Sequence, residues 1–321
     1  MQHQVQPTIE IQEDEIDLRE LARTIGKHKK KLMGFTLIVT LLSGLWTLSK
    51  PNIYHSQAVL VPQGEAGKSS MGGLGALAGL AGVDVGGGGM TPDGAYQLYL
   101  DDYNWMRTFL TQTKLFERLN AADRDKNYRF ALGSDKFYRL MKRSPKKSLE
   151  ELTAEENEAK LFATYQRVKG QLVIANDKKT SVITLGYSDP DPVLAKEIVM
   201  LFLTKASNSL RTNDLSDMEK KITYYDRELQ KTNDLALKTQ LSQLMSALIQ
   251  KKVLAQSSDY YNVKIMTVPS VAYEKDKEGP KRGLIVVVSF VTSLILGIFG
   301  IFLLEFLRKD NGFRNNEKQQ N

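Results

Sequence analysis

The residues able to do chemistry are few and scattered. Histidine occurs three times, as His3, His28 and His55, and cysteine is absent, so no run of spaced ligands is available to hold a transition metal. Asp189 and Asp191 invite a reading as paired carboxylates or as a cation site. They sit, however, in SDPDP at 188–192, where capping and turn formation explain both. Asp191 is placed to cap a helix, and Pro192 takes its first position, where a missing N–H costs nothing. The stretch GEAGKSS at 64–70 imitates a phosphate-cradling loop, but the glycine needed five residues before the Gly-Lys-Ser is Pro62. No G-x-S-x-G elbow is present, and the carboxylates of 150–158 belong to a highly charged segment that reads as a solvated face. The expectation is a protein without catalytic residues, cofactor, metal or nucleic-acid partner.

What must be positioned is therefore a surface, and two apolar runs dictate where it lies. From Gly283 to Leu304, twenty-two residues carry no charge. At about 1.5 Å per helical residue they reach roughly 33 Å, enough to cross a bilayer core of about 30 Å. Lys281 and Arg282 stand before the run, Arg308 and Lys309 after it. A second run covers 32–48; Lys31 and Lys50 can snorkel to lengthen it, and Trp46 suits the interface. A cleaved signal peptide is disfavoured, because thirty-one residues with six acidic side chains precede this run. Small residues recur at i, i+4, i+8 in both spans: Thr36, Thr40 and Gly44 in the first, Ser289, Ser293 and Gly297 in the second. That spacing lets membrane helices approach closely.

The expected layout is a cytoplasmic segment 1–31, a span 32–48, a soluble region 49–282, a span 283–307 and a tail 308–321. Six basic residues crowd the first span on its N-terminal side and only Lys50 follows it, which places both termini in the cytoplasm and the middle outside. The chain has 321 residues and a net charge of +7, of which +6 falls on 49–282. A spread excess of that size fits an ordinary solvated surface, or more weakly an anionic partner such as polysaccharide or lipid headgroups.

Within the middle region, Ile53–Pro62 reads as a strand, and 64–94 holds twelve glycines among thirty-one residues together with Leu74, Leu77 and Leu80. That segment is either loop or a sticky face for membrane or neighbour. Tyr96–Asn120 is helical in pattern, with Leu98, Trp105, Phe109 and Phe116 available for a core. A helix starts near Ser148 and continues through 162–168. Leu172–Ala175 and Ser181–Tyr187 form a hairpin about NDKKT, and the SDPDP helix follows within a helical region 193–257. From Asp214 to Ser257 an apolar stripe runs through Met218, Ile222, Tyr225 and Leu229, then Leu237, Leu241, Leu244 and Leu248 after a stutter near Asn233. One helix of that length would reach about 65 Å and pack against copies of itself; two antiparallel helices broken near 232–234 are the alternative. A strand 260–268 and a linker 269–280 complete the region.

EIDLRELARTIGKHKK before the first span, YHSQAVLVP after it, ITLGYSDPDPVLAKEIV, and KIMTVPSVAYEKDKEGPKRGLI entering the second span resemble the Wzz-type chain-length determinants, or polysaccharide co-polymerases. The likeness runs along nearly the whole chain. It implies an α/β membrane protein in which two transmembrane helices flank an extracytoplasmic α/β domain with a long extended helix. It also implies a large homo-oligomer in the bacterial inner membrane, acting with a Wzy-type polymerase or nascent lipid-linked polysaccharide to set the modal length of O-antigen or a related glycan. The glycine-rich 64–94 looks more like members serving exopolysaccharide or capsule systems. Fourteen residues follow Leu307 without a tyrosine, so a fused kinase is not expected.

Overall fold

The computed structural model describes residues 18–63, 90–133, 135–141 and 151–317. The GEAGKSS stretch, nearly all of the glycine-rich segment and the helix start expected at Ser148 lie outside them. The chain divides into two compact units: Met1–Lys50, Lys136–Leu140 and Lys281–Asn321 in one, Pro51–Asp135 and Met141–Pro280 in the other.

The first unit is built on two long helices, α1 (Leu18–Leu48) and α9 (Arg282–Glu317), packed antiparallel. α1 begins at Leu18, so the same helix runs through the basic residues that precede the first span. Outward along both helices stand Leu37, Ile38, Leu41 and Leu42, and Val287, Val288, Ile295, Leu296 and Phe299, all exposed. A soluble core helix would bury such residues; a lipid-facing one displays them. These are the two transmembrane helices that flank the α/β domain.

The second unit is organised around a four-stranded antiparallel sheet in the order β2-β3-β1-β4. Its strands are β1 (Tyr54–Pro62), β2 (Leu172–Asp177), β3 (Val182–Asp189) and β4 (Val263–Thr267). The strands join both ends of the unit in one sheet. Alternation along β1 turns Tyr54, Ser56, Ala58 and Leu60 inward, opposite Asp189, Tyr187, Leu185 and Ile183 of β3. That face is covered by the first half of α7 (Pro192–Lys231), whose Leu194, Ala195, Ile198, Val199, Phe202, Leu203 and Ala206 form one buried stripe. The helix starts as its sequence requires, Asp191 accepting from the N–H of Val193 at 2.9 Å and of Leu194 at 3.3 Å.

Three short helices fill Pro92–Asn120 where one helical segment is expected: α2 (Pro92–Asp101), α3 (Tyr103–Gln112) and α4 (Leu115–Asn120). Asp102 breaks the first pair, its side chain accepting from the N–H of Asn104. Trp105, Phe109 and Phe116 enter the core, but Leu98 does not; it is 56% exposed. A one-turn helix, α5 (Lys136–Met141), precedes α6 (Ala154–Gln171), which begins at a reciprocal cap. The Thr153 hydroxyl accepts from the Glu156 N–H, and the Glu156 carboxylate accepts from the Thr153 N–H.

The long helix expected over 214–257 is broken. Residues 232–234 are non-helical, and α8 (Leu235–Ser257) turns back along the distal half of α7 as its antiparallel partner. Asp234 caps α8 by accepting from Ala236 at 2.8 Å and Leu237 at 3.4 Å. The segment 269–280 is no free linker either. Ser56 donates to the carbonyl of Ser270 at 2.8 Å, Tyr54 to that of Glu274 at 3.2 Å, and the Ile53 N–H to that of Gly279 at 2.9 Å.

Candidate functional site

Of the small residues expected to bring membrane helices together, the structure uses several within one chain. Thr36 and Ser293 are buried between α1 and α9. A Cβ added at Gly297 would stand 2.5 Å from Cδ1 of Leu32 and 3.3 Å from Cδ1 of Phe35, so a larger residue there would require those side chains to shift. Gly44 has nothing within 4 Å of such an atom and takes no part in the close approach. The Thr40 hydroxyl donates to the Thr36 carbonyl at 2.7 Å and that of Ser293 to the Phe290 carbonyl at 2.9 Å, which satisfies both inside their own helices. Ser289 and Thr40 are half-buried.

Two polar contacts that sequence reasoning missed fix the ends of this pair. Arg282 donates to the Thr47 carbonyl in the last turn of α1 at 3.3 Å and to the Lys50 carbonyl just beyond it at 2.8 Å, placing a cation where the helix dipole is negative. At the other end, His28 Nδ1 lies 4.0 Å from the Glu305 carboxylate. The signal for Arg282 was its position at the head of the second span. Its partner could not be read from one sequence.

The expected long-helix stripe closes on itself. Met218 and Leu248 are buried against each other, with Ile222, Tyr225 and Leu244 packed around them. Leu241 is buried, Leu229 is half-buried, and Leu237 is 43% exposed. Lys252 of α8 meets Glu219 of α7 at 2.9 Å, and Arg211 donates to the carbonyl of Asp259 at 2.9 Å. The apolar stripe is thereby mostly used up inside the hairpin.

Two polar clusters lie on opposite faces of the sheet. On the inner face, Asp189 is fully buried and paired with Arg124, which also donates to the Leu119 carbonyl at 3.1 Å. Burial pushes the Asp189 carboxyl above the usual carboxylate range, and the Arg124 charge pulls it back. Asn127 donates to Asp191 at 3.0 Å. Both aspartates are thus structural, tying residues 124–127 to the sheet and to the start of α7.

On the outer face, His55, Ser188 and Glu278 converge. His55 Nδ1 is 2.9 Å from Ser188 Oγ and 3.8 Å from the Glu278 carboxylate, while the Ser188 hydroxyl donates to that carboxylate at 2.5 Å. The residue types are those of a hydrolase relay, but the order is not. One and the same imidazole nitrogen faces both partners, and the Ser188 hydroxyl donates to the carboxylate, so the histidine does not stand between serine and acid as it does in such a relay.

Carboxylates expected to form a plain solvated face do more than that. Glu158 of α6 accepts from Arg107 of α3 through both oxygens at 3.1 Å and from Tyr103 at 2.7 Å, and the Arg107 hydrogen bond holds its carboxyl below the usual range. Among the described residues no group of three or more histidines, aspartates or glutamates is arranged to hold a metal ion.

Residues 14–111, about a third of the chain, match the Wzz family model, described as chain length determinant protein. The matched stretch holds the first span, β1, the helix α2 and most of α3. No curated protein matches the chain. A solved structure described as a full-length bacterial polysaccharide co-polymerase is similar at 11% identity with a TM-score of 0.37, over 92% of this chain and 99% of that one.

Proposed function

We propose that the protein regulates the modal chain length of a surface polysaccharide, O-antigen or a related lipopolysaccharide glycan, without making or breaking bonds itself. The observation that carries this reading is the family match over residues 14–111, which takes in the first span and the strand that follows it. The flanking pair of apolar helices agrees with it. The chain acts as a homo-oligomeric scaffold in the bacterial inner membrane. Both termini are cytoplasmic, as the basic residues before α1 favour, and the sheet domain is periplasmic, where it meets a Wzy-type polymerase or the nascent lipid-linked glycan.

The glycine-rich 64–94 favours a second reading, an inner-membrane subunit of capsule or exopolysaccharide export. One gel separates the two. Surface polysaccharide from cells with and without the gene is resolved by length. Loss of a preferred length with polymer still displayed supports chain-length control. Loss of surface polymer with material retained inside supports export, and an unchanged pattern defeats both.

A further inference from the structure

The helix pair of the first unit carries a one-sided band of positive charge where it leaves its apolar zone. From Leu21 to Lys31 the chain holds five basic residues and no acid, and Glu20 is the one acid between Leu18 and Lys31. Beyond Leu304 the other helix is balanced, with Arg308, Lys309 and Arg314 against Glu305, Asp310 and Glu317. The excess at this end of the pair therefore belongs to α1.

Helix geometry sorts these side chains onto one face. At about 100° per residue, Arg23, Lys27, Lys30 and Lys31 fall within an arc of roughly 100°. The residues that meet α9 are centred about 140° round the axis from that arc. They are His28 beside Glu305, Leu32 and Phe35 over Gly297, and buried Thr36. Arg23, Lys27, Lys30 and Lys31 are accordingly exposed, as is Lys29 on the flank. The cationic face is turned away from the partner helix, toward whatever surrounds the pair.

The level of that face is set inside the unit. Glu305, the first charged residue after the apolar run of α9, lies beside His28, so both helices leave the apolar zone at the same height. Lys27 to Lys31 occupy about 6 Å of helical rise, and Arg23 stands about 12 Å from Lys31. Screening acts over about 8–10 Å at ordinary ionic strength, and long basic side chains bend back toward an interface. The whole group thus stays within reach of lipid headgroups. One continuous helix from Leu18 to Leu48 holds it there. A basic cluster of this size directly outside a span is complementary to acidic phospholipid.

We propose that Arg23, Lys27, Lys29, Lys30 and Lys31 form a binding surface for anionic phospholipid headgroups, in the leaflet at the N-terminal end of the first span. This rests on the reading of α1 and α9 as membrane spans. Because the chain lacks cysteine, one introduced thiol carries one label. An added Cβ meets nothing within 4 Å at Gly26 or at Gly44, so Gly26→Cys and Gly44→Cys are suitable sites toward the two ends of the span. Each full-length variant is labelled with bimane and reconstituted in phosphatidylcholine vesicles. Quenching by a minor fraction of doxyl-labelled phosphatidylglycerol is compared with quenching by the same fraction of doxyl-labelled phosphatidylcholine. At 26 the anionic lipid should quench severalfold more strongly, while at 44 the two should be nearly equal. The preference at 26 should vanish when all five basic residues are changed to Gln, and shrink as salt rises. Equal quenching by the two lipids at 26 overturns the proposal. So does an equal anionic preference at 44, or a preference at 26 that survives the glutamine substitutions. Quenching at 44 by both lipids and at 26 by neither defeats only the binding surface, whereas no quenching at either position defeats the span reading itself.

Discussion

Arg124 and Asp189, sixty-five residues apart, form an ion pair in which the carboxylate is fully buried. The pair lies where the inner face of the sheet meets the start of α7, with the Asp191 N–H donating to Asp189 at 2.9 Å. Removing one partner leaves an uncompensated buried charge, and such losses run to about 3–5 kcal/mol. Arg124→Ala should therefore destabilise the full-length protein strongly, and Asp189→Asn less, because a neutral amide can still accept the Asp191 N–H. The pH dependence has a definite sign. Burial already raises the folded-state Asp189 carboxyl, and loss of Arg124 raises it further. A folded pKa above the unfolded one means stability is greatest at acid pH and falls as pH rises through the window between the two. Hydrogen exchange of β3 at pH 5 and pH 8 should show the Arg124→Ala deficit growing with pH. A deficit that shrinks with pH would rule out this account.

How much of this was legible depends on distance along the chain. The β2–β3 hairpin, the Asp191 cap and the two spans were readable because each signal lies within one element or one turn. The break at 232–234 was not resolved, because the apolar stripe continues across it and a register slip in one helix looks like the turn between two. Thr153 with Glu156 spelled a capping box that the denser charges around Ser148 outweighed. The Arg124–Asp189 pair, the Arg282 contacts with α1 and the His55–Ser188–Glu278 cluster join residues no local pattern relates. Among the proposed packing residues, spacing marked Gly44 and Gly297 as equivalents; only the positions of Leu32 and Phe35 tell them apart.

That difference makes a clean comparison. Gly44→Ala should leave the span pair unchanged, since an added methyl meets nothing. Gly297→Leu drives a branched side chain into Leu32 and Phe35 and should cost about 1–3 kcal/mol, the usual range for overpacking. A disulfide engineered between positions 36 and 293 within one chain would report it, with cross-linking kept in the first variant and reduced in the second. Equal cross-linking in both would refute the packing role of Gly297.

The hairpin of α7 and α8 offers a graded test. Leu248→Ala empties a buried contact with Met218 and should cost about 2–5 kcal/mol of hairpin stability, whereas half-exposed Leu237→Ala should fall within about 0.5 kcal/mol of the parent. Amide exchange in 218–229 should accelerate only in the first. If Leu237→Ala instead dissociates an oligomer while leaving exchange intact, its exposed face serves a contact between copies.

Gly186 and His55 allow a prediction whose sign reverses with background. A Cβ at Gly186 would lie 2.5 Å from Cε1 and 2.7 Å from Nε2 of the His55 ring, and its next neighbour, the Ser56 carbonyl oxygen, is an ordinary 3.6 Å away. The imidazole is thus the only near obstacle, and it is anchored by Ser188. Gly186→Val in the parent should destabilise by about 1–3 kcal/mol through that clash. Once His55→Ala has removed the ring, the same substitution exchanges a flexible glycine for a strand-favouring residue, and Gly186→Val should stabilise by about 0.5–1 kcal/mol. Thermal unfolding of the parent, the two single variants and the double variant in one detergent closes the cycle. A positive coupling of this size fixes Gly186 as the space into which His55 folds; additive effects would mean the strand, and not the ring, sets the cost.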